Sequence, residues 1–245
     1  MEFVYNPSFV ALSIGVAILG SFTGLVMTSG IRQGNISAAR LRIVLGALGV
    51  GGGIWSMHFI AMLAVILPID LNYDPVPTII SALIAVSFTG IAFWIVGENR
   101  YGRATLPASA LFLGLGIGGM HYLGMYAIEG RCTIEYSWIG VIVSVVIAIQ
   151  ASGVALWFAF RKRAVIDTLL GSIALGLAIA LMHYSAMEST RFLPANTASE
   201  LPQLLISEDY LALSIAITMY FVCGICLMVF SILTYRGSGH GQESS

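Results

Sequence analysis

Seven long apolar stretches alternate with short polar segments along the chain. A helix that crosses a membrane needs roughly 20 mostly apolar residues, because the hydrocarbon core is about 30 Å thick and each helical residue advances 1.5 Å. Seven segments meet this requirement and are predicted to be transmembrane helices: 8–30, 41–67, 77–97, 106–128, 137–160, 165–187 and 210–235. The first has no basic segment before it and no cleavage site after it, so we interpret it as a retained helix.

The charges between these stretches differ from one side to the other. One set of loops and the C-terminal tail hold nine of the 11 basic residues, namely Arg32, Arg40, Arg42, Arg100, Arg103, Arg161, Lys162, Arg163 and Arg236. The opposite side has only Arg131 and Arg191, and it carries most of the acidic residues. Basic loops mark the cytoplasmic face. The pattern predicts an amino terminus outside and a carboxyl terminus inside.

A motif repeats on the even-numbered helices, as Met57-His58-Phe59, Met120-His121-Tyr122 and Met182-His183-Tyr184. The odd helices repeat as well: Tyr5-Asn6-Pro7 recurs as Tyr73-Asp74-Pro75, and Ser21-Phe22-Thr23-Gly24 recurs as Ser87-Phe88-Thr89-Gly90. The unit is a helix pair used three times and closed by a seventh helix. Because each unit spans twice, successive units are parallel and equivalent residues lie at one depth. We place the histidines roughly 10–15 Å below the outer loop ends.

Composition narrows the class of protein. Hydrophobic residues make up 58% of the chain and charged residues only 9%, whereas soluble domains carry about a quarter charged residues. An all-α integral membrane protein in the lipid bilayer is therefore predicted. No basic face exists for nucleic acid, and three cysteines at unrelated spacings make no disulfide framework.

The repeated motif carries the candidate chemistry. Each histidine is followed four residues later by a second methionine, and residues i and i+4 share one helical face. The three second methionines are Met62, Met125 and Met187. Imidazole binds copper in either oxidation state, thioethers suit Cu(I), and no carboxylate or thiolate lies within the motifs. The pattern predicts a copper site, Cu(I) or Cu(II), near the outer face.

Two further features have structural interpretations. Glycines precede the first two motifs, at Gly46, Gly49, Gly51, Gly52 and Gly53, and again at Gly114, Gly116, Gly118 and Gly119. Small residues let helices approach closely in lipid, so we expect them to pack the even helices together. We interpret Cys223 and Cys226 on the seventh helix as packing residues.

The triple motif, the Tyr5-Asn6-Pro7 opening and the seven-span layout resemble the MHYT domain, a bacterial membrane sensor module. The resemblance covers residues 5 to 235. The fourth letter of the family name is not kept, since Ile60, Leu123 and Ser185 occupy that position. The resemblance implies copper ligation by His58, His121 and His183, with Met57, Met120 and Met182 next. The ligand roles of Met62, Met125 and Met187 rest on helical geometry instead.

The resemblance also implies a function and a location. The family is a proposed sensor of oxygen, carbon monoxide or nitric oxide, and it is often fused to cytoplasmic diguanylate cyclase and phosphodiesterase domains that handle cyclic di-GMP. We therefore expect a sensor of a gas or of redox state in the bacterial inner membrane, with a periplasmic amino terminus and a cytoplasmic effector as partner. The domain would be 1–235, and 236–245 a polar cytoplasmic tail or a truncated linker.

The sequence leaves several alternatives open. No nucleophile–base pair or phosphate loop is present, so we do not expect this chain to be an enzyme. A copper transporter or chaperone would use the same ligands, and haem could bind two axial histidines. Whether the chain forms a homo-oligomer is also open.

Overall fold

The computed structural model describes residues 4–28, 36–67, 71–98, 104–130, 132–161, 165–194 and 205–239. The described chain is helical apart from short strands. The helices are α1 Pro7–Thr28, α2 Ile36–Leu63, α3 Pro75–Glu98, α4 Thr105–Tyr126, α5 Trp138–Arg161, α6 Val165–Glu188 and α7 Glu208–Gly239. Six of them, α1 to α6, are long and apolar enough to cross a membrane. In α7 the corresponding apolar stretch is shorter, Tyr210–Cys226.

The first six helices form a closed ring in chain order, because α1 packs against both α2 and α6. The even helices also contact one another, so they lie at the centre and the odd helices surround them. Helix α7 packs outside this ring against α2 and α1. Large apolar side chains of the odd helices face outward, including Leu12, Leu19, Ile79, Leu83 and Ile142. An apolar exterior around a packed interior is the arrangement of a multi-pass membrane protein.

Short strands close each helix pair at one end of the bundle, which we call the strand end. The strands are β1 Val4–Tyr5, β2 Val65–Ile66, β3 Asn72–Tyr73, β4 Ile128–Glu129, β5 Cys132–Tyr136, β6 Thr190–Pro194 and β7 Ile206–Ser207. Antiparallel pairs join β1 to β2, β3 to β4 and β5 to β6. The repeat is therefore strand, odd helix, even helix, strand. Strand β7 adds to the free side of β3, with Asn72 opposite Ser207 and Tyr73 opposite Ile206.

These strands were not expected from the sequence, and they shorten two predicted spans. The prediction of 41–67 runs past the end of α2 at Leu63, and that of 106–128 runs past the end of α4 at Tyr126. Helix α7 in turn continues beyond the predicted boundary at 235 to Gly239, so the first four residues of the predicted tail are helical. The rest of that tail, 240–245, lies outside the described residues.

The glycines pack the even helices against odd helices, not against each other as expected. A Cβ built on Gly53 of α2 would lie 2.9 Å from Cα of Gly20 in α1. A Cβ built on Gly51 would lie 2.7 Å from Cα of Val86 in α3. A Cβ built on Gly114 of α4 would lie 2.6 Å from Cα of Ile149 in α5. The expectation was wrong because each of these three glycines faces an odd helix, whose backbone comes this close.

Candidate metal centre

The three motif histidines meet at the centre of the bundle. Each is the sixth residue from the end of its helix, since α2, α4 and α6 end at Leu63, Tyr126 and Glu188. All three side chains are buried, with at most 1% of their surface exposed. The equal spacing confirms that parallel repeats bring the motifs to one level. That level is about 7–8 Å from the helix ends, less than the depth predicted from the sequence, because α2 and α4 stop earlier than the sequence pattern suggested.

The Nδ1 atoms of His58, His121 and His183 form an equilateral triangle. Each of the three Nδ1–Nδ1 distances is 3.2 Å. The ring centroids lie 5.0–5.2 Å apart, and the ring planes cross at 73–86°. The centre of such a triangle is 3.2/√3, about 1.8 Å, from each nitrogen. Metal–imidazole bonds are about 2.0 Å long, so the triangle has the dimensions of a three-nitrogen metal site.

Hydrogen bonding alone does not satisfy these rings. A neutral imidazole carries one N–H and one in-plane lone pair. The Nε2 atoms of all three rings are buried without a hydrogen-bond partner among the described residues. If the protons sit on Nε2, three Nδ1 lone pairs point at one another, which is unfavourable. A cation at the centre of the triangle binds all three lone pairs, so this donor set fits a metal ion.

Aromatic rings hold the imidazoles in position from the strand end. The residues after the histidines are Phe59, Tyr122 and Tyr184, and each packs edge-on against a strand tyrosine, Tyr73, Tyr136 and Tyr5 respectively. The ring centroids are 5.4–5.6 Å apart in all three pairs. In the sequence, Tyr5 and Tyr73 stand out only as members of a repeat. Their recurrence before successive odd helices was the signal for this role.

Two of the three aromatic residues that follow the histidines also make a hydroxyl hydrogen bond to a neighbouring helix, and the third does not. The Tyr122 hydroxyl lies 2.7 Å from Oγ of Ser144 in α5, and the Tyr184 hydroxyl lies 3.0 Å from Oγ of Ser13 in α1. Phe59 has no hydroxyl to bond the equivalent serine of α3, Ser81. The Oγ atom of Ser81 donates to the carbonyl oxygen three residues earlier, as those of Ser13 and Ser144 also do. The His58 side of the site is therefore fixed by packing rather than by hydrogen bonding of its neighbour.

The strand tyrosines remain neutral near physiological pH. Burial, and secondarily Tyr122, raises the pKa of Tyr136 to about 12. Burial also raises the pKa of Tyr73, with a further contribution from Glu208. The pKa of Tyr5 is raised by burial, then by Tyr184 and Glu188. No phenolate therefore adds negative charge beside the histidines.

The six methionines fall into two sets. Met62, Met125 and Met187 gather in one small buried cluster with Val65 and Phe192, and we call them the strand-side methionines. The residues before the histidines, Met57, Met120 and Met182, are equally buried but belong to the large apolar core. We call them the core methionines. The structure thus collects one set in a small cluster of its own, one helical turn from the histidines, and places the other set in the large apolar core.

The cysteines lie apart from the histidines. Burial, and secondarily Glu129, raises the pKa of the Cys132 thiol in β5, which disfavours the thiolate that binds metals. On α7, Sγ of Cys223 lies 4.0 Å from Oγ1 of Thr23, and Sγ of Cys226 donates to the carbonyl oxygen of Leu45 at 3.9 Å. Both contacts attach α7 to the ring. In the described parts of the chain, the group of metal-binding side chains consists of the three histidines.

Gly124 leaves the space that the His58 ring occupies. A Cβ built on Gly124 would meet Nε2 of His58 and would lie 2.7 Å from its Cδ2. We expect Gly124→Ala to push this imidazole out of the triangle and to weaken metal binding by about 10- to 100-fold, as loss of ligand orientation does elsewhere. Gly119→Ala on the same helix is the control, because its Cβ would make only ordinary contact with Ile84. Titration against a competing metal chelator measures the metal affinity of each variant. Equal affinities in the two variants would contradict the role of Gly124.

Comparison with known proteins now decides the family. The family model MHYT, described as a bacterial signalling protein N-terminal repeat, matches residues 51–108 and 114–172. The chain is a member of the MHYT family. The two matched MHYT repeats contain His58 and His121, and both begin in an even helix. His183 lies outside them, so its place in the site rests on the motif and the geometry.

The relatives of this MHYT chain are larger signalling proteins. It is 38% identical over 239 residues to the bifunctional diguanylate cyclase/cyclic di-GMP phosphodiesterase MucR of Pseudomonas aeruginosa, covering 95% of this chain and 34% of MucR. It is 39% identical over 205 residues to the cyclic di-GMP phosphodiesterase NbdA of the same organism, covering 80% and 26%. The signaling protein YkoW of Bacillus subtilis is 31% identical over 195 residues, covering 77% and 24%. No solved structure matches.

The chain spans about a third or less of the length of these curated relatives. It corresponds to their MHYT part, and the enzymatic activities in their names belong to the whole proteins. The family and the helical architecture make this chain a membrane signalling domain.

Proposed function

We propose that this chain is a copper-dependent sensory domain that responds to a diatomic gas (oxygen, carbon monoxide or nitric oxide) or to redox state. The observation that carries the proposal is the equilateral triangle of buried Nδ1 atoms, 3.2 Å on each side. His58, His121 and His183 would be the ligands. The core and strand-side methionines, Met57, Met120, Met182, Met62, Met125 and Met187, are the nearby soft donors.

The donor set favours copper over other biological metals. Imidazole accepts both oxidation states of copper, thioethers favour Cu(I), and divalent copper binds nitrogen sites more tightly than zinc does. Bound copper would supply an ion whose preferred coordination changes with oxidation state and with an added ligand. The chain's own part is to hold three neutral imidazoles in a buried site, each packed against an aromatic ring. Three protein ligands would leave a coordination position open for a small molecule.

The charge pattern and the exposed aromatics support a seven-span placement with the strand end outside. Trp138 and Trp157 of α5 are exposed and are separated by about 28 Å along the helix, close to the thickness of the hydrocarbon core. Such residues anchor helices at the two interfaces. Helix α7 has 32 residues, about 48 Å, which is long enough to span. We place the chain in the bacterial inner membrane, with a periplasmic amino terminus.

A contiguous set of contacts connects the triad to α7. The His58 ring contacts Phe59, whose ring contacts the fully buried Tyr73 in β3. Strand β3 pairs with β7, which continues directly into α7. A change in the position of His58 would therefore reach the helix that ends on the proposed cytoplasmic side. The names of MucR and NbdA suggest a cyclic di-GMP cyclase or phosphodiesterase as the effector.

Haem and transport are less well supported. A porphyrin must lie between its two axial imidazoles, whereas these three rings are in mutual contact with centroids 5.0–5.2 Å apart. A transporter needs ligands that continue towards the opposite side of the membrane. Among the described residues, the group of histidine, cysteine or carboxylate ligands is the triad, which lies close to the strand end.

Metal analysis tests the proposal. We expect copper in the detergent-purified protein, or after loading with Cu(I), and a lower copper content per chain when His58, His121 and His183 are all replaced by Ala. The control is Tyr122→Phe with Tyr184→Phe, which removes two hydroxyls and leaves the imidazoles. A Soret band would instead indicate haem. Absence of copper even after loading, or equal copper in the triple histidine variant, would contradict the proposal.

A further inference from the structure

The strand-side methionines repeat the symmetry of the histidines. Met62, Met125 and Met187 each follow a histidine by four residues, so each lies about 6 Å further along its helix. Their side chains are at most 1% exposed. They are three of the five buried residues in their cluster, and the other two are Val65 and Phe192. Three thioethers from three parallel repeats are thus collected in one layer.

This layer lies between the histidines and the strand end. Residues of the strand end pack against it, including Tyr5, Ile128, Cys132, Ile134 and Tyr136. An ion that enters from the strand end would therefore meet the methionine layer before the triad. The core methionines are on the same helices and are equally buried, but they belong to the large apolar core and not to this small cluster.

Thioether sulfur is a selective ligand. It is neutral, needs no deprotonation and binds soft monovalent cations such as Cu(I) and Ag(I), but it is a poor ligand for Zn²⁺ or Mg²⁺. Methionine side chains are also flexible, so three of them can adjust around an ion or repack without one. The layer can therefore accept a soft ion and release it to stronger donors one helical turn away.

We propose that Met62, Met125 and Met187 form a second, separate site for a soft monovalent cation, which passes such ions to the histidine triad. The inference rests on the proposed function of the triad for its destination, but the methionine site has its own ligands. It implies that the chain takes up Cu(I) rather than Cu(II) from the outside. It also implies that the strand-side methionines can bind an ion when the histidines cannot.

Silver(I) is the probe, because it mimics Cu(I) and does not change oxidation state. We expect Met62→Leu, Met125→Leu and Met187→Leu together to halve the amount of tightly bound Ag(I) per chain. The matched control is Met27→Leu, Met219→Leu and Met228→Leu, which removes three sulfurs that belong to neither methionine set and is expected to leave the silver capacity unchanged. Leucine keeps the volume of the side chain, so packing is largely preserved.

X-ray absorption provides a measurement that does not depend on the folding of the leucine variant. With His58, His121 and His183 replaced by Ala, the remaining Ag(I) should have a first shell of sulfur alone. Unchanged silver capacity in the strand-side variant, or no sulfur in that shell, would overturn the methionine site. Full silver capacity in the histidine variant together with sulfur ligation would instead leave the methionine site standing and contradict the triad.

Discussion

Loading the protein with Cu(I) should raise its free energy of unfolding by about 4 kcal/mol when the free ion is about 1,000 times its dissociation constant. The reason is that the three Nδ1 atoms are held 3.2 Å apart only in the folded chain. An unfolded chain offers the same imidazoles without this geometry and binds the ion far more weakly. Denaturant titration in detergent, followed by loss of helical signal with and without the ion, measures the difference.

His58→Ala is expected to remove most of that gain. The variant also leaves a cavity at a site with 0% exposure, so its absolute stability is not the informative quantity. The informative quantity is the difference between loaded and metal-free protein within each variant, in which the cavity cancels. Tyr122→Phe should keep the full gain, because only its hydroxyl bond to Ser144 is lost. A gain of the same size in His58→Ala would show that the ion binds elsewhere.

The second large effect is expected at the contact of α1 with α2. Gly53→Ala should lower the free energy of unfolding by about 1–3 kcal/mol, the usual cost of overpacking. Its Cβ would lie 2.9 Å from Cα of Gly20 and 3.4 Å from the carbonyl carbon of the same residue. Because both contacts are with backbone, no side chain can move aside and the two helices must separate.

Gly52→Ala is the matched control for this prediction. Gly52 is the preceding residue of the same helix, and a Cβ built on it meets nothing within 4 Å. Alanine is the better helix former, so this change should cause no loss and at most a gain of about 1 kcal/mol. The unfolding midpoints of the two variants, measured side by side, should therefore move in opposite directions. Equal midpoints would mean that the approach of Gly20 to Gly53 does not limit the packing of α1 on α2.

The repeat pattern correctly predicted that the three histidines share one level, because parallel two-helix units place equivalent residues at equal depth. It could not show that the three rings would touch, since that depends on which faces the even helices turn toward the centre. One determinant is local and easily missed: Gly124 stands where the other two motifs have Ala61 and Ala186. That missing methyl group makes room for the His58 ring.

The strand end could not be predicted from periodicity. Strands of two residues, such as Val65–Ile66, are too short to show an alternating pattern, and the apolar character of 64–67 extended the predicted helix instead. These strands form because the two ends of one repeat pair with each other, and such pairing is a long-range contact. The glycine expectation failed for a related reason. Composition indicates that a helix face can approach a neighbour closely, but not which neighbour it approaches.

X-ray absorption at the copper edge, on protein loaded with one Cu(I) per chain, tests whether the three histidines bind copper. We predict a first shell that contains imidazole nitrogens at about 2.0 Å, the bond length that the triangle of Nδ1 atoms fits. We also predict that this signal is lost when His58, His121 and His183 are replaced by Ala. A first shell without imidazole nitrogen, or one that the triple variant leaves unchanged, would contradict it.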